Sequence, residues 1–222
     1  MKQASLHNIN ARRKRLSLLL ARGLNSRVSK ETETHRVSPR IIIYQSEFEY
    51  LAKCILDRND IETGGQLFGH WTSGGTPVIL YAIGPGPNAN HQPTFFNQDV
   101  EYLVKVGHLL KKRFGLHHIG EWHSHHQLGL DHPSRYDVQT MTLTIRGKGL
   151  KRFLLCIGTC SNDAASVRGF YCDESRCTDA NWDVIPVASP IRKEADLSFE
   201  DVLVHPGYPN GNRTIKQLPY GQ

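Results

Sequence analysis

The sequence predicts an α/β fold in which helices cover a mixed β-sheet. Residues 40–44 and 77–83 are short β-branched runs of the kind found in strands, whereas residues 99–114 repeat apolar side chains at helical spacing. Strand-like and helix-like segments alternate through the middle of the chain, and two consecutive strand-like segments follow. This order is typical of a mixed sheet with helices packed on it.

The first half of the predicted domain begins with a strand at residues 40–44. A helix follows, because Ser46 is a good N-cap residue with Glu49 three positions later. Residues 64–69, Gly-Gly-Gln-Leu-Phe-Gly, predict a strand whose backbone must come close to another group. A further strand is expected at residues 77–83, followed by a loop at 85–93 that is dense in Gly, Pro and Asn.

The second half begins with an amphipathic helix at residues 99–114, which Gly115 ends. We then expect a strand at 116–125, a helix from Ser134 to about residue 145, and two strands at 153–159 and 166–172. From residue 178 onward the chain is Pro-rich, and we expect an irregular extension over 178–222. Residues 1–38 predict a basic, flexible arm, which leaves 39–177 as the folded domain.

The net charge of +6 belongs to this arm. Residues 1–40 carry ten Lys and Arg side chains against two Glu, so the rest of the chain is slightly acidic. Nucleic-acid binding by the folded domain is therefore not expected. No apolar run is long enough to cross a membrane and no secretory signal is visible, so we expect a cytoplasmic protein. The five cysteines are expected to be reduced thiols; a second metal on Cys156, Cys160, Cys172 and Cys177 is the alternative.

The most informative segment contains His123 and His125, followed by Ser134 and Asp137. Residues two apart on a strand point to the same face, so the two imidazoles can reach one ion. A catalytic zinc takes three protein ligands, and Asp137 is the best third candidate. His126 and His132 remain alternatives as ligands. Ser134-x-x-Asp137 is also a good capping box, which needs no catalysis.

These motifs resemble those of the JAMM/MPN-plus zinc metallopeptidases, particularly the bacterial members. The family signature is a distant Glu, then His-Ser/Thr-His, then Ser-x-x-Asp, and the matching segments are Glu62, residues 123–125 and residues 134–137. The resemblance extends over residues 41–171 and includes the Gly-Pro-Gly-Pro-Asn loop at 84–88. It implies a JAMM/MPN architecture, related to that of cytidine deaminases, for a catalytic domain at 39–177.

The resemblance also implies the roles of the residues. One zinc ion would be held by His123, His125 and Asp137, while Glu62 would act as the base and Ser134 would stabilise the oxyanion. Glu121 is the rival for the base, because it shares a strand face with His123.

The sequence departs from the family pattern at two points. His126 replaces the proline that usually follows the second histidine, and the loop from His126 to Pro133 holds eight residues instead of seven. We expect both differences to affect substrate preference more than the reaction. A change of third ligand to Asp131 or His132 is the less favoured consequence.

The function implied by the resemblance is a zinc-dependent isopeptidase or peptidase, deubiquitinase-like, that cuts at the C-terminus of a ubiquitin-like protein. Its partners would be the ubiquitin-like protein or its conjugates, with E1-like and E2-like enzymes of the same pathway. The alternative is a non-catalytic MPN-type scaffold, although such proteins lack ligands that this chain keeps. A nucleobase deaminase is disfavoured because the chain has no Pro-Cys-x-x-Cys segment.

Overall fold

A computed structural model describes residues 38–161 and 164–192 of the chain. The basic arm that the sequence predicts lies outside these residues except for Ser38, and residues 193–222 of the expected extension lie outside them as well. No helix within the two described ranges combines the length and the apolar character that a bilayer-spanning helix needs.

Strands make up most of the regular structure. In chain order the elements are β1 (Arg40–Tyr44), α1 (Gln45–Leu56), β2 (Gly64–Trp71), β3 (Pro77–Ile83), β4 (Asn90–Gln92), β5 (Phe95–Asn97), α2 (Val100–Phe114), β6 (His117–Ser124), a 3-10 turn (His126–Leu128), α3 (Arg135–Gly147), β7 (Phe153–Ser161), β8 (Ala164–Cys172) and β9 (Cys177–Ile185). The strands and helices expected from the sequence are present, although Ser46 lies inside α1 and does not cap it, and β4, β5 and β9 are additional to them.

Seven of these strands form a closed barrel in the order β1-β3-β2-β6-β7-β8-β9. Strand β9 completes the closure, because it pairs antiparallel with β8 and parallel with β1. The predicted fold class, a mixed sheet flanked by helices with a JAMM/MPN, cytidine-deaminase-like architecture, is therefore wrong. Closure removes the two free edges that such an open sheet would have.

The prediction failed because β9 lies in the segment that was expected to be irregular. Its residues, Cys-Thr-Asp-Ala-Asn-Trp-Asp-Val-Ile, include three Asp and Asn side chains, and none of the nine residues is fully buried. Its side chains do alternate, with Ala180, Trp182 and Val184 between Asp179, Asn181 and Asp183, but Asp and Asn are uncommon in strands and obscured this pattern. Ala180 and Trp182 pack against the largest apolar cluster, so β9 is held by this partly buried face as well as by its two neighbouring strands.

Helix α1 packs against β3, β7 and β8. It buries Tyr50, Leu51 and Ile55, which join residues of β1, β2, β3, β6 and β7 in the largest apolar cluster. The contact is close, since a Cβ at Gly158 of β7 would lie 2.4 Å from the Ile55 side chain. Helix α2 supports a second cluster with β2 and β3 through Tyr102, Val106 and Leu110, and α3 a third with β7 and β8 through Met141 and Ile145.

A buried ion pair joins the start of α1 to residue 192. Glu47 is 0% exposed and Arg192 is 1% exposed. The Arg192 guanidinium donates to both carboxylate oxygens of Glu47 and, through Nη2 at 2.9 Å, to the carbonyl oxygen of Ala82. The N–H of Ala82 donates back to Glu47 Oε2 at 2.8 Å. This network is fully hydrogen-bonded around Glu47, as a buried carboxylate requires.

The glycines at the start of β2 are needed for close approach. A Cβ at Gly65 would lie 1.8 Å from the carbonyl oxygen of Ile83, which also accepts a hydrogen bond from Trp122 Nε1 at 2.9 Å. A Cβ at Gly64 would lie 2.5 Å from the ring of Phe96 in β5. The short ribbon of β4 and β5 is thereby seated on the end of β2, next to the metal-ligand candidates.

Candidate metal centre

The two histidines of the His-Ser-His segment lie at the C-terminal end of β6, between β2 and β7. His123 is on the strand, where it pairs with Gly64 of β2 and Ile157 of β7. His125 directly follows the strand, and its N–H still donates to the carbonyl oxygen of Gly158 at 2.8 Å. Their Nε2 atoms are 3.1 Å apart. Both rings therefore point to one centre, as the spacing predicts.

Asp137 completes this centre from the first turn of α3. Its Oδ1 is 3.5 Å from His123 Nε2, and its Oδ2 is 3.7 Å from His125 Nε2. Ligand atoms about 2.0–2.1 Å from a tetrahedral zinc lie about 3.3 Å from one another. In the described part of the chain, His123, His125 and Asp137 form the cluster of potential metal ligands, with all three ligand atoms within 4.8 Å of one another. The donor set and its spacing fit a zinc ion but are not specific to zinc.

The capping box predicted for α3 is present and helps to position the third ligand. Ser134 Oγ accepts from the N–H of Asp137 at 3.2 Å, and the N–H of Ser134 donates to Asp137 Oδ2 at 2.7 Å. Capping and metal binding are therefore compatible, since the cap orients the carboxylate toward the two histidines. Ser134 itself is exposed and lies beside the centre.

The electrostatics of the cluster favour a cation. Burial by itself raises the pKa of Asp137, but hydrogen bonds from His123 and His125 outweigh it and hold that pKa well below its usual range. Burial likewise opposes protonation of His125, whereas the hydrogen bond with Asp137 raises its pKa above the ordinary value. Each shift has the same origin, an anionic carboxylate facing two imidazoles, and a divalent cation would satisfy all three groups.

The second nitrogen of His125 fixes the ring. Its Nδ1 is 2.6 Å from the carbonyl oxygen of Leu130, an acceptor, so Nδ1 carries the proton. When the ring is neutral, the lone pair of Nε2 is then directed at the centre. Metal-binding histidines commonly make a second bond of this kind, which selects the tautomer and orients the ring.

Glu62 lies just before β2, two residues from the glycine that pairs with His123. Strand β4 holds its backbone, since the N–H of Glu62 donates to Gln92 at 3.0 Å and His91 Nδ1 donates to the Glu62 carbonyl oxygen at 2.9 Å. The side chain is half-buried, and this burial raises its pKa against the opposing influence of His123 and His125. The structure thus brings Glu62 to the same centre as the three candidate ligands.

The rival Glu121 also lies near the centre. It is two residues before His123 on β6, so both side chains project to the same face. Burial raises its pKa as well, and the charges of His123 and Asp137 act on it. Two carboxylates therefore interact electrostatically with the centre, and both are candidates for the base.

The other candidate ligands make different contacts. His126 Nε2 is 2.7 Å from the carbonyl oxygen of Pro93 in the turn between β4 and β5. His132 Nδ1 is 2.6 Å from Asp131 Oδ1, and Arg168 Nη1 donates to Asp131 Oδ2 at 2.8 Å. None of the three belongs to the metal cluster found in the described residues.

One pair of cysteines is not in the expected reduced state. Cys172 and Cys177 form a disulfide, with their Cα atoms 4.0 Å apart at the last paired position of the β8–β9 hairpin. The expectation of reduced thiols is wrong for this pair, because β9 was not recognised as the strand that places them opposite each other. Cys54, Cys156 and Cys160 are free.

Three contacts around the centre were missed from the sequence: that of His91 with Glu62, that of the Leu130 carbonyl with His125, and that of Arg168 with Asp131 in the following loop. A backbone carbonyl has no residue-type signal. The other two act through partners far away in the chain: His91 contacts Glu62, and Arg168 contacts a loop residue 37 positions before it. The longer loop after His125 was the available signal for the contacts of Leu130 and Arg168, whereas that of His91 had none.

Comparison with known proteins assigns no family. No protein-family model matches the chain, and no curated protein matches it by sequence. Among solved structures, the chain is similar to protein DSY2949 from Desulfitobacterium hafniense, determined in solution. The alignment has a TM-score of 0.53 and 14% identity, and it covers 67% of this chain and 94% of that one. At this identity the likeness concerns the fold alone.

Proposed function

We propose that this chain is a zinc-dependent peptidase of the JAMM type that hydrolyses the isopeptide or peptide bond at the C-terminus of a ubiquitin-like protein. The observation that carries the proposal is the convergence of His123, His125 and Asp137, with Glu62 close enough for the histidines to affect its pKa. Three ligands leave one position open, as in catalytic zinc sites. The motifs that resemble the JAMM/MPN-plus family add support. The barrel fold itself is not used as support for the proposal.

Different residues of the chain have different roles in the proposed reaction. A zinc ion held by His123, His125 and Asp137 would supply Lewis-acid chemistry, because it would lower the pKa of water to about 7 and polarise a carbonyl group. Glu62 accepts the proton that water loses as its oxygen attacks the carbonyl carbon. Glu62 then returns this proton to the amine nitrogen as the C–N bond breaks, so that it ends the cycle unchanged.

Ser134 stabilises the charge that develops on the carbonyl oxygen. Its Oγ accepts from the N–H of Asp137, which leaves its hydroxyl hydrogen to donate. A donor aimed at a developing oxyanion is worth about 10²–10³ in kcat. Its exposed position beside the ligand Asp137 supports this role, because the substrate must reach it from solvent.

We further propose that the substrates are ubiquitin-like proteins or their conjugates, and that E1-like and E2-like enzymes act in the same pathway. A cytoplasmic location goes with these partners. We expect neither a membrane nor a nucleic acid as a partner, since no apolar run is long enough to cross a membrane and the basic charge is concentrated in residues 1–40. These statements rest on the resemblance of the motifs and on the charge distribution.

The direct test measures bound zinc by elemental analysis and then cleavage of ubiquitin-like fusion proteins with and without a chelator. We expect one zinc per chain, and hydrolysis that the chelator abolishes and added zinc restores. Stoichiometric zinc without hydrolysis of any carrier in a panel would refute the enzyme and favour the non-catalytic scaffold.

Two matched variants identify the base. Glu62→Gln should retain zinc and lose hydrolysis, because glutamine keeps the size of the side chain but cannot take a proton. Glu121→Gln is the control and should remain active. The reverse pattern, with Glu62→Gln active and Glu121→Gln inactive, would assign the base to Glu121.

A further inference from the structure

The loop between β6 and α3, residues 126–133, has little apolar packing to hold it. Leu128 and Leu130 are 52% and 57% exposed. Between them Gly129 adopts a left-handed backbone (φ 67°) with open space around its Cα, since an added Cβ would meet nothing within 4 Å. A loop without buried side chains at its tip depends on polar contacts for its shape.

This loop carries the acceptor that orients a metal ligand. The carbonyl oxygen of Leu130 accepts from His125 Nδ1 at 2.6 Å. If the carbonyl moved, Nδ1 would lose its partner and Nε2 would lose the orientation that suits a metal. The position of Leu130 is therefore part of the metal centre, although its side chain is not.

The next residue is held by a rigid strand. Asp131 accepts from Arg168 Nη1 at 2.8 Å, and Arg168 Nη2 also donates to Asp179 of β9 at 2.6 Å. Arg168 lies on β8 opposite Ile157 of β7, which in turn lies opposite His123 of β6. Arg168 is thus on the same face as His123, two strands and about 10 Å away. The start of the loop has its own anchor, the contact of His126 with Pro93 at 2.7 Å.

We propose that Arg168 is a positioning residue for the metal ligand His125. Its guanidinium ties Asp131 to the barrel, and Asp131 holds the neighbouring carbonyl of Leu130 against His125 Nδ1. This inference rests on the metal-binding part of the proposed function and is independent of whether the protein hydrolyses anything. The loop at residues 126–133 would then keep the ring of His125 in the orientation that binds a metal.

If only electrostatics mattered, replacing Arg168 would change the metal affinity in the opposite direction. The guanidinium is a positive charge near a cation site, and without it Asp131 and Asp179 would be left as uncompensated anions. A metal ion would then bind more tightly if charge were the dominant effect. Positioning predicts weaker binding, so the direction of the change separates the two explanations.

The experiment measures metal affinity. Apo protein is titrated with Zn²⁺ against a competing chelator, and with Co²⁺ followed by its visible absorption, which reports the coordination geometry. We expect Arg168→Ala to weaken binding about tenfold, at the low end of the range for residues that support metal ligands. Arg168→Lys should fall between this variant and the wild type, because lysine keeps the charge but cannot bridge both carboxylates.

The matched control is Arg40→Ala, which removes another arginine paired with an Asp of β9, Asp183 at 2.9 Å. It should leave metal affinity unchanged. Thermal unfolding of the apo proteins should show a similar small loss for Arg168→Ala and Arg40→Ala, so that general destabilisation does not account for a change in affinity.

Unchanged or tighter binding by Arg168→Ala would overturn the inference while leaving the metal centre intact. If alanine variants of His123 and Asp137 bound the metal as tightly as the wild type, both the metal centre and this inference would be overturned. Loss of peptidase activity alone bears only on the proposed reaction.

Discussion

Replacing Arg192 by methionine should destabilise the fold strongly, because it leaves the carboxylate of Glu47 buried without its counter-charge. The guanidinium donates two hydrogen bonds to Glu47 and one to Ala82. Breaking a buried pair by removing one partner costs about 3–5 kcal/mol. For a domain of this size that corresponds to a fall of about 6–20 °C in Tm.

The assay is urea-induced unfolding at neutral pH, followed by tryptophan fluorescence and checked by calorimetry. Arg40→Met is the matched control, because the Arg40–Asp183 pair has side chains 58% and 48% exposed. Exposed pairs of this kind contribute about 0–1 kcal/mol. A loss for Arg192→Met no greater than that for Arg40→Met would refute the reasoning.

A double variant sharpens this test. Glu47→Leu combined with Arg192→Met replaces both charges by apolar groups of similar size, so no charge remains buried alone. Such replacements are often neutral or stabilising, and we expect the double variant to recover most of the loss. If the double variant were as unstable as Arg192→Met, lost packing would explain the effect better than the unpaired carboxylate.

Three further predictions concern single positions. Gly65→Ala should cost about 1–3 kcal/mol in urea unfolding because its Cβ would meet the carbonyl of Ile83 at 1.8 Å, whereas Gly147→Ala in α3, with open space around it, should be neutral or slightly stabilising. Ser134→Ala should cost about 1 kcal/mol through the lost cap, and a fall in kcat of about 10²–10³ at saturating zinc would separate its catalytic role from capping. Reducing the disulfide, or Cys172→Ser, should cost about 2 kcal/mol because the closed loop is short; equal stability with and without reductant would contradict this.

Local structure and the metal-ligand candidates were predictable from the sequence, because their signals lie in adjacent residues. The β-branched run at β1, the apolar spacing of α2 and the capping box of α3 each involve a few consecutive positions. His123 and His125 likewise belong to one strand end, and Asp137 follows from the cap. The sequence therefore identified the three side chains that the fold brings together.

Closure of the barrel was not predictable in this way, because it depends on pairing between distant segments. Strand β9 alternates apolar side chains with Asp and Asn, which are uncommon in strands, and it takes its place by pairing with β1 and β8. The Cys172–Cys177 disulfide depends on the same strand. The contact of Arg168 with Asp131 and that of the Leu130 carbonyl with His125 were not predictable either, because neither follows a repeating pattern in the sequence.

The parallel pairing of β1 with β9 has a consequence for how the protein is made. When Glu47 leaves the ribosome, Arg192 lies 145 residues later in the chain. At a synthesis rate of 5–20 residues per second, Arg192 is added to the chain about 7 to 30 s after Glu47. During that interval β1 has neither its β9 neighbour nor a closed core, so the nascent chain exposes unpaired strands. We therefore expect the barrel to close only after β9 and Arg192 have been synthesised.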